Sequence, residues 1–157
     1  MVVVDALSKR FGKLEVLKGV SASFGPVLVT AVIGPNASGK TTLMKSILGL
    51  VVPDSGTVTI AGQPARNNPA ARDVVGYMPQ EPRFPDNLRV SELLDFIQDL
   101  RGQRPSGLDE LIDLFELRPH LSKPLRVLSG GTKQKTSAVL TFLFRPKILI
   151  LDEPSAG

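Results

Sequence analysis

The stretch that most constrains the fold of this chain is GPNASGKTT, which covers residues 34–42. An apolar run ends at its first glycine, and an apolar-periodic segment begins directly after it at Leu43. We therefore predict a buried strand over Val27–Ile33, a glycine-bounded loop, and a helix that runs to about Leu50. Backbone N–H groups of such a loop, together with the N-terminus of the following helix, form a nest for phosphate groups.

The loop meets the pattern GxxxxGK[ST] residue for residue, although an ordinary glycine-rich turn remains the alternative explanation. Lys40 is expected to reach the β- and γ-phosphates of a nucleotide, and the Thr41 hydroxyl is expected to ligate Mg²⁺. Gly34 and Gly39 are expected to adopt backbone angles that a Cβ would penalise. If Ala37 has a positive φ, the strain costs about 1 kcal/mol, and we expect weaker phosphate binding. The candidate nucleotide-binding residues of the loop are Gly34, Pro35, Asn36, Ala37, Ser38, Gly39, Lys40, Thr41 and Thr42.

Composition excludes several classes of protein. The 157 residues suffice for one domain with a hydrophobic core, and they contain no cysteine, which excludes a disulfide framework and thiolate metal sites. No signal peptide is expected from the acidic start of the chain, and no apolar run approaches the roughly 18 residues that span a bilayer. The net charge of +4 is compatible with an anionic partner, but it does not distinguish between nucleotide, nucleic acid and lipid.

Polarity patterns predict the remaining elements of the first two thirds of the chain. In the turn after the first strand, Phe11 either stacks on a nucleotide base or packs in a small satellite core. Two amphipathic helices, at about Ser91–Arg101 and Leu108–Leu117, are predicted to pack their apolar stripes together as a helical subdomain. Strands are predicted at Val2–Val4, Val16–Phe24, Thr57–Ile60 and Val74–Met78.

A second helix N-terminus with anion-binding character is predicted in the last third of the chain. Ser129 is a good N-cap residue, and Gly130 and Gly131 leave the first N–H groups of the following helix accessible. The helix is expected to run to about Phe144, before Arg145-Pro146 ends it. Taken alone, this pattern is equally typical of a simple helix cap.

A fully apolar run, Ile148–Leu151, predicts a central parallel strand that ends in two acids. Ligands of open α/β sheets bind at the carboxyl ends of the strands. Asp152 is therefore expected to hold Mg²⁺ through water, and Glu153 to orient and deprotonate an attacking water. The alternative is two solvated acids at a strand end. The single histidine, His120, lies in a predicted loop and is expected to be solvated.

Taken together, these segments resemble a known family. The motifs GPNASGKT, Gln80, LSGGTKQK and ILILDEP, in this order and spacing, are similar to those of the ATP-binding-cassette (ABC) ATPase domain. The resemblance covers the whole chain. It implies an α/β P-loop NTPase fold of the ABC type, with a mainly parallel sheet core, an N-terminal antiparallel β subdomain and a helical subdomain. It divides the chain into 1–79 (β subdomain and phosphate-loop core), 80–128 (helical subdomain) and 129–157 (signature helix and acid-bearing strand).

The resemblance also implies a role for each matching residue, with ATP as the nucleotide and Mg²⁺ as its metal. Phe11 is implied as the aromatic that stacks on adenine, and Gln80 as the residue that joins Mg²⁺ and the attacking water to the helical subdomain. The motif Ser129-Gly130-Gly131 is implied as the signature that contacts ATP bound to the opposite subunit. Asp152 is implied as the metal-holding acid and Glu153 as the catalytic base.

The implied function is the ATP-hydrolysing subunit of a transporter. Two copies would sandwich two ATP molecules and drive a separate membrane permease, which would hold the subunit at the cytoplasmic face of the membrane. One alternative is a soluble ABC ATPase that acts on ribosomes or nucleic acid, but we expect no direct nucleic-acid partner because the chain shows no long basic insertion. Another is a regulatory module that binds nucleotide without turnover, against which Glu153 argues.

Finer resemblances and departures qualify this reading. The run from Gly76 to Leu94 and the segment from Lys123 to Gln134 resemble ATPases that pair with separate membrane permeases of the export-like group. They are similar in particular to the ATPase of the copper-processing system that matures nitrous oxide reductase. Ala37 replaces the usual loop glycine, Thr132 stands where the signature usually has glutamine, and Ser155 stands where threonine usually follows the proline.

A further departure is that the family continues beyond the position of Gly157, through an Asp-containing loop to a strand with a switch histidine. His120 is in the wrong place to substitute for that histidine. We therefore expect the C-terminal strands of the sheet to be missing from these residues. The segments 27–33 and 148–151 should then not be direct neighbours, and the 1–157 chain by itself should be marginal or insoluble and hydrolyse ATP weakly or not at all.

Overall fold

A computed structural model describes residues 1–153 of the chain and divides it into two compact units. The first unit is Met1–Val74, and the second begins at Val75. This boundary differs from the one at 79/80 that the resemblance implies, and the three-part division stays a prediction. Among the residues described, no helix combines the length and the apolar composition that crossing a membrane requires.

The first unit is built on an antiparallel sheet of four strands, β1 (Val2–Phe11), β2 (Leu14–Phe24), β3 (Ser55–Ile60) and β4 (Gln63–Pro64). Their order in the sheet is β2-β1-β3-β4. Gly56 lies where β1 bulges between Asp5 and Ser8, and a Cβ at this glycine would come within 2.4 Å of the Ala6 carbonyl oxygen. The strands predicted near the N-terminus, around residue 58 and before the Gln80 segment are confirmed.

The strand predicted over Val27–Ile33 is wrong. These residues have no regular strand geometry, and the side chains of Val29 and Ile33 are 104% and 91% exposed. A buried strand needs hydrogen-bonding partners along its edges and elements that cover its faces. Within residues 1–153 no strand pairs with this segment, so its apolar composition alone does not make it a strand.

The helix predicted after the phosphate loop is confirmed, although it is shorter than expected. Helix α1 spans Lys40–Ile47, and its buried residues are Leu43, Ser46 and Ile47. It ends before Leu50 because Gly49 adopts a left-handed φ of 70°, which is typical of the residue that terminates a helix. A 3₁₀ turn, Pro69–Arg72, lies near the end of the first unit and is capped by the Asn68 side chain.

The second unit contains a two-stranded parallel sheet of β5 (Val75–Met78) and β6 (Ile148–Leu151). Helix α4 (Gly130–Phe142) packs on β5, where the Thr141 hydroxyl donates to the Tyr77 carbonyl at 3.1 Å. The parallel direction predicted for β6 is confirmed, and its central position in a larger sheet stays a prediction. Among the residues described β6 pairs only with β5, and alternate side chains along it are about 40% exposed.

The helical part of the second unit confirms the predicted packing of apolar stripes. Helix α2 (Val90–Arg101) ends at Gly102, which has the left-handed φ of 61° that a helix-terminating glycine adopts. Helix α3 (Leu108–Leu114) ends three residues earlier than predicted, and Leu100, predicted in the α2 stripe, is 72% exposed. The buried cluster consists of Val90, Leu93, Leu94, Ile112, Leu117, Leu125, Leu128 and Val139.

Candidate nucleotide-binding and hydrolysis residues

The phosphate loop of the first unit folds around the side chain of Lys40. The Lys40 ammonium donates to the carbonyl oxygens of Gly34 at 2.8 Å and Pro35 at 2.9 Å. The Ser38 N–H donates to the Pro35 carbonyl at 3.3 Å, which closes the turn. The loop residues from Pro35 to Ser38 are exposed, so the ammonium and the loop backbone lie at the surface of the unit.

Two of the loop residues have a left-handed backbone, but they are not the two glycines predicted. Gly39 has φ 95°, and a Cβ there would lie 3.0 Å from the Val16 carbonyl oxygen of β2. Ala37 has φ 63°, so the condition under which we expect strain is met. Gly34 is not left-handed. It is a glycine position for a spatial reason, since a Cβ would approach the Ser38 hydroxyl to 2.8 Å.

Phe11, the candidate base-stacking residue, ends β1 in the turn of the first hairpin. It pairs with Leu14, and its side chain is 49% exposed, so the satellite-core alternative is not favoured. The Lys9 ammonium lies 5.4 Å from the ring centroid. The same ammonium forms a hydrogen bond at 2.9 Å to Asp54, which lowers the pKa of that carboxyl. The cation over one face of the ring is therefore itself held in place.

In the second unit, the two candidate catalytic residues touch each other. The Gln80 side-chain amide donates to Oε2 of Glu153 at 2.5 Å. The parallel pairing explains this contact. Met78 is opposite Leu151 in the register, and Gln80 and Glu153 each lie two residues beyond that pair. Both side chains leave the same edge of the sheet, where α/β proteins bind ligands.

Asp152 lies inward of this pair. Its side chain is 3% exposed, and its N–H donates to the Met78 carbonyl at 2.9 Å, which extends the pairing of β5 and β6. Burial, and to a lesser extent the negative charge of Asp152, raise the pKa of Tyr77, so the phenol keeps its proton near neutral pH. A buried Asp152 and an exposed Glu153 therefore occupy different environments, as different chemical roles require.

The signature segment begins α4 with a pair of hydroxyl groups. The prediction that Ser129 is the N-cap is confirmed, because its Oγ accepts from the Thr132 N–H at 3.2 Å. The hydroxyls of Ser129 and Thr132 also lie 2.8 Å apart, a contact that sequence reasoning missed. Gly130 and Gly131 are exposed, and an added Cβ at either would meet nothing within 4 Å. The N-terminus of α4 is therefore accessible.

The remaining candidates have simple surroundings. Nδ1 of His120 lies 3.2 Å from the Lys123 ammonium, within the helical part, and Thr42 lies in the first turn of α1. Ser155, the departure noted after the acid pair, lies outside the described residues. No cluster of three or more metal-ligating side chains occurs among residues 1–153. Mg²⁺ in nucleotide sites needs only one or two protein ligands, because phosphates and waters complete its shell.

A phosphate loop that opens a helix, and a parallel strand that ends in two acids, define a nucleotide-binding α/β protein of the P-loop class. The family described as "ABC transporter" matches residues 17–156. The chain therefore belongs to the ABC transporter family, as its ATP-binding part.

Relatives of known name agree with this assignment. The chain is 35% identical to the probable multidrug ABC transporter ATP-binding protein YbhF of Escherichia coli (strain K12), over 100% of the chain and 28% of that protein. It is 32% identical to the Fe(3+) ions import ATP-binding protein FbpC 2 of Rhodococcus jostii (strain RHA1), over 96% of the chain and 45% of that protein. The chain thus spans less than half the length of these curated relatives.

Solved structures confirm the fold. One, described as the ATP binding subunit of an ABC transporter, is 30% identical and has a TM-score of 0.88, over 98% of the chain and 66% of that structure. Another, CbiO1 from Clostridium perfringens, is 26% identical with a TM-score of 0.77, over 99% of the chain and 66% of that structure. The predicted fold class, an α/β P-loop NTPase of the ABC type, is therefore confirmed.

Proposed function

We propose that the complete protein binds and hydrolyses ATP, and that this hydrolysis powers a membrane permease. The contact between Gln80 and Glu153, beside the buried Asp152, carries the proposal. A module that only binds nucleotide has no need for a carboxylate at the strand edge that is oriented by an amide. Membership of the ABC transporter family implies ATP as the nucleotide.

We assign the phosphates to the loop of the first unit. The Lys40 ammonium already lies against the loop carbonyls of Gly34 and Pro35, so it is placed to exchange them for β- and γ-phosphate oxygens. The exposed ring of Phe11 supplies a face on which adenine stacks. The left-handed Ala37 sets the loop geometry at a cost that glycine would avoid.

The family resemblance implies Mg²⁺, and each unit by itself contains an oxygen donor of the kind that the ion takes: a hydroxyl in the first turn of α1 in the first unit, and a buried carboxylate after β6 in the second. Thr41 would ligate the ion directly, and Asp152 would hold it through water, with Gln80 contributing from the edge of the sheet. When bound, the ion would neutralise charge on the phosphates. The oxygen-only donor set is the one that Mg²⁺ prefers.

Glu153 acts as the general base. Its carboxylate removes a proton from a water molecule while the water oxygen forms a bond to the γ-phosphorus. The bond from phosphorus to the β–γ bridging oxygen breaks, which releases ADP and inorganic phosphate. Gln80 orients the carboxylate through its amide, and both side chains are exposed enough to meet a nucleotide.

The complete protein would act as a homodimer attached to a permease. The accessible N-terminus of α4, with Ser129, Gly130 and Gly131, would bind the ATP held by the opposite subunit. The solved relative CbiO1 is described as part of the ABC transporter complex cbiONQ, and other relatives are described as import or multidrug transporter proteins. The permease would keep the subunit at the cytoplasmic face of the membrane. The resemblance to the copper-processing system stays a prediction.

The test is a pair of substitutions in the complete protein. Lys40→Ala removes the cation at the phosphates and should weaken ATP binding, measured by equilibrium titration with a fluorescent ATP analogue. Glu153→Gln keeps the shape but removes the base, so it should retain ATP binding and lose turnover by about a hundredfold or more. His120→Gln is the control, and both properties should be unchanged. Equal phosphate release by Glu153→Gln and the unchanged protein would remove Glu153 from the mechanism.

A further inference from the structure

Asp54 is a residue of the first unit to which the proposed hydrolysis gives no role. It lies directly before β3, and its carboxylate accepts two hydrogen bonds from the end of β1. The Lys9 ammonium donates to Oδ1 at 2.9 Å, and the Arg10 N–H donates to Oδ2 at 2.7 Å. The Asp54 N–H in turn donates to the Ser8 carbonyl at 2.9 Å. Three hydrogen bonds therefore attach Asp54 to the three residues that precede Phe11.

Lys9 links this carboxylate to the candidate base-stacking ring. Its side chain is only 16% exposed, although lysine side chains usually extend into water. Its ammonium lies over the Phe11 ring, and the ring keeps enough exposed area for a base to stack on it. Hydrogen bonds from Lys9 and from the Arg10 N–H lower the pKa of the Asp54 carboxyl, so the carboxylate keeps its charge near neutral pH.

The ring has little else to hold it. Phe11 lies at the end of β1, beside Gly12, and its partner across the hairpin, Leu14, is 67% exposed. An exposed side chain loses rotamer freedom when a ligand binds to it, and this loss weakens binding. A ring that is already held in one orientation by a fixed cation avoids that loss.

The same aspartate lies close in sequence to the helix that begins at the phosphate loop. Helix α1 ends at Ile47, and the N–H groups of Leu50 and Val51 donate back to the Lys45 carbonyl at 2.8 and 3.1 Å. Three residues after Val51 the chain reaches Asp54. The segment from α1 to Asp54 therefore has hydrogen bonds at both of its ends, which limits how far the hairpin that carries the ring can move relative to α1.

Stability alone is a weak explanation for this ion pair. The Asp54 side chain is 51% exposed, and ion pairs with an exposed member usually contribute little to the free energy of unfolding. The more specific effect of the pair is on the position of a cation relative to an aromatic ring, where the attraction depends on geometry.

We propose that Asp54 and Lys9 are positioning residues for the nucleotide base. Asp54 holds the Lys9 ammonium over the Phe11 ring, and the ring is thereby kept in the orientation in which adenine stacks on it. The inference rests on the proposed function, because it requires that the chain binds ATP through Phe11. The contribution of the two residues concerns the base end of the nucleotide and not the reacting γ-phosphate.

The experiment uses isothermal titration calorimetry on the complete protein to compare ATP with tripolyphosphate, which carries the phosphate charges but no base. Asp54→Ala and Lys9→Met should each weaken ATP binding by about threefold to fivefold, the usual effect of a cation at an aromatic ring, and leave tripolyphosphate binding unchanged. Lys9→Arg should bind ATP as the unchanged protein does, because a guanidinium also binds carboxylates and stacks on aromatic rings.

Steady-state kinetics gives a second readout that a loss of folded protein would not produce. Asp54→Ala should raise the KM for ATP by the same factor and leave kcat unchanged, because the base is bound equally in the ground state and the transition state. Melting temperatures are measured for each variant. Lys9→Met keeps the aliphatic part of the side chain, so it tests the proposal even if Asp54→Ala does not fold.

The matched control is Asp5→Ala, which removes another exposed carboxylate of β1 that forms no ion pair within residues 1–153. Its affinities for both ligands should equal those of the unchanged protein. Equal weakening of ATP and tripolyphosphate binding would overturn the positioning role, as would ATP binding that neither variant alters. Phosphate release separates the two proposals: ATP turnover with unaltered affinities refutes only the positioning role, whereas base-dependent affinities without turnover refute only the proposed hydrolysis.

Discussion

At the scale of single residues, the phosphate loop shows how a backbone angle can tune a binding site. Ala37 holds φ 63° where a glycine would hold it without strain. The loop residues from Pro35 to Ser38 are exposed, and we expect the phosphate-binding conformation to be less populated than a glycine would make it.

We expect Ala37→Gly to raise the affinity for ATP by up to about fivefold, because relief of the left-handed strain is worth about 1 kcal/mol. The measurement is equilibrium binding of a fluorescent ATP analogue. Ala61→Gly is the matched control, since Ala61 also has a left-handed φ, of 50°, but lies in the turn after β3. That variant should change the melting temperature and not the affinity. Unchanged affinity of Ala37→Gly would show that strain does not limit binding.

The sequence predicted the site residues better than their contacts. It named Glu153 from its place at the end of an apolar strand and Gln80 by resemblance, but their direct hydrogen bond depends on the register of β5 and β6, which residue spacing cannot give. The hydroxyl contact of Thr132 with Ser129 had a visible signal, a threonine three residues after an N-cap. The sequence predicted that Gly34 is a glycine because of a strained backbone angle. In the structure the reason is space, since a Cβ at this position would collide with the Ser38 side chain.

At the scale of elements, ion pairs at the surface stabilise α3 and the residues that follow it. Arg118 binds Asp113 at 2.5 Å and lowers the pKa of that carboxyl by hydrogen bonding. Lys135 of α4 binds Glu116 and lowers the pKa of that carboxyl in the same way. Because the folded pKa values lie below the unfolded ones, these pairs stabilise the helical part above about pH 4. The stabilisation is lost as the pH falls through the folded values.

We therefore expect the double variant Arg118→Gln, Lys135→Gln to lower the melting temperature at pH 7 and to have less effect at pH 3. The measurement is thermal unfolding followed by circular dichroism from pH 2 to pH 7. Arg126→Gln is the control, because Arg126 forms no ion pair within residues 1–153. The same loss of melting temperature at pH 3 and pH 7 would show that the charges are not what these residues contribute.

Element boundaries show where sequence patterns fail. The amphipathic helices were predicted correctly because each carries its own apolar stripe to the shared cluster. The strand at 27–33 was predicted wrongly, because a buried strand depends on partner strands that its own residues cannot supply. In the same way β6 has one strand partner among the residues described, and alternate side chains along it are exposed.

At the scale of the whole molecule, an apolar segment and a strand edge are both exposed. Residues 27–33 present several large apolar side chains, and β6 has one strand partner among the residues described. Exposed apolar segments and unpaired strand edges promote association between chains.

We expect the 1–157 chain, prepared by itself, to aggregate, and the double variant Val29→Lys, Ile33→Lys to aggregate more slowly. Light scattering against time at constant concentration measures this. Leu114→Lys is the control, since it removes an apolar side chain that is 73% exposed outside this segment. An unchanged rate in the double variant, or a monomeric unchanged chain, would remove the segment as the cause.

The parallel pairing of β5 with β6 also determines when some contacts can form during translation. The hairpin of β1 and β2 joins neighbouring residues, so it can form while the rest of the chain is still being translated. Gln80 cannot bind Glu153 until 73 further residues have been translated. This synthesis takes roughly 4 to 15 s at ordinary rates of translation. Throughout that interval β5 lacks this partner, so the strand that carries Tyr77 has an unpaired edge in the nascent chain. The catalytic pair therefore forms later in translation than the contacts of the first hairpin.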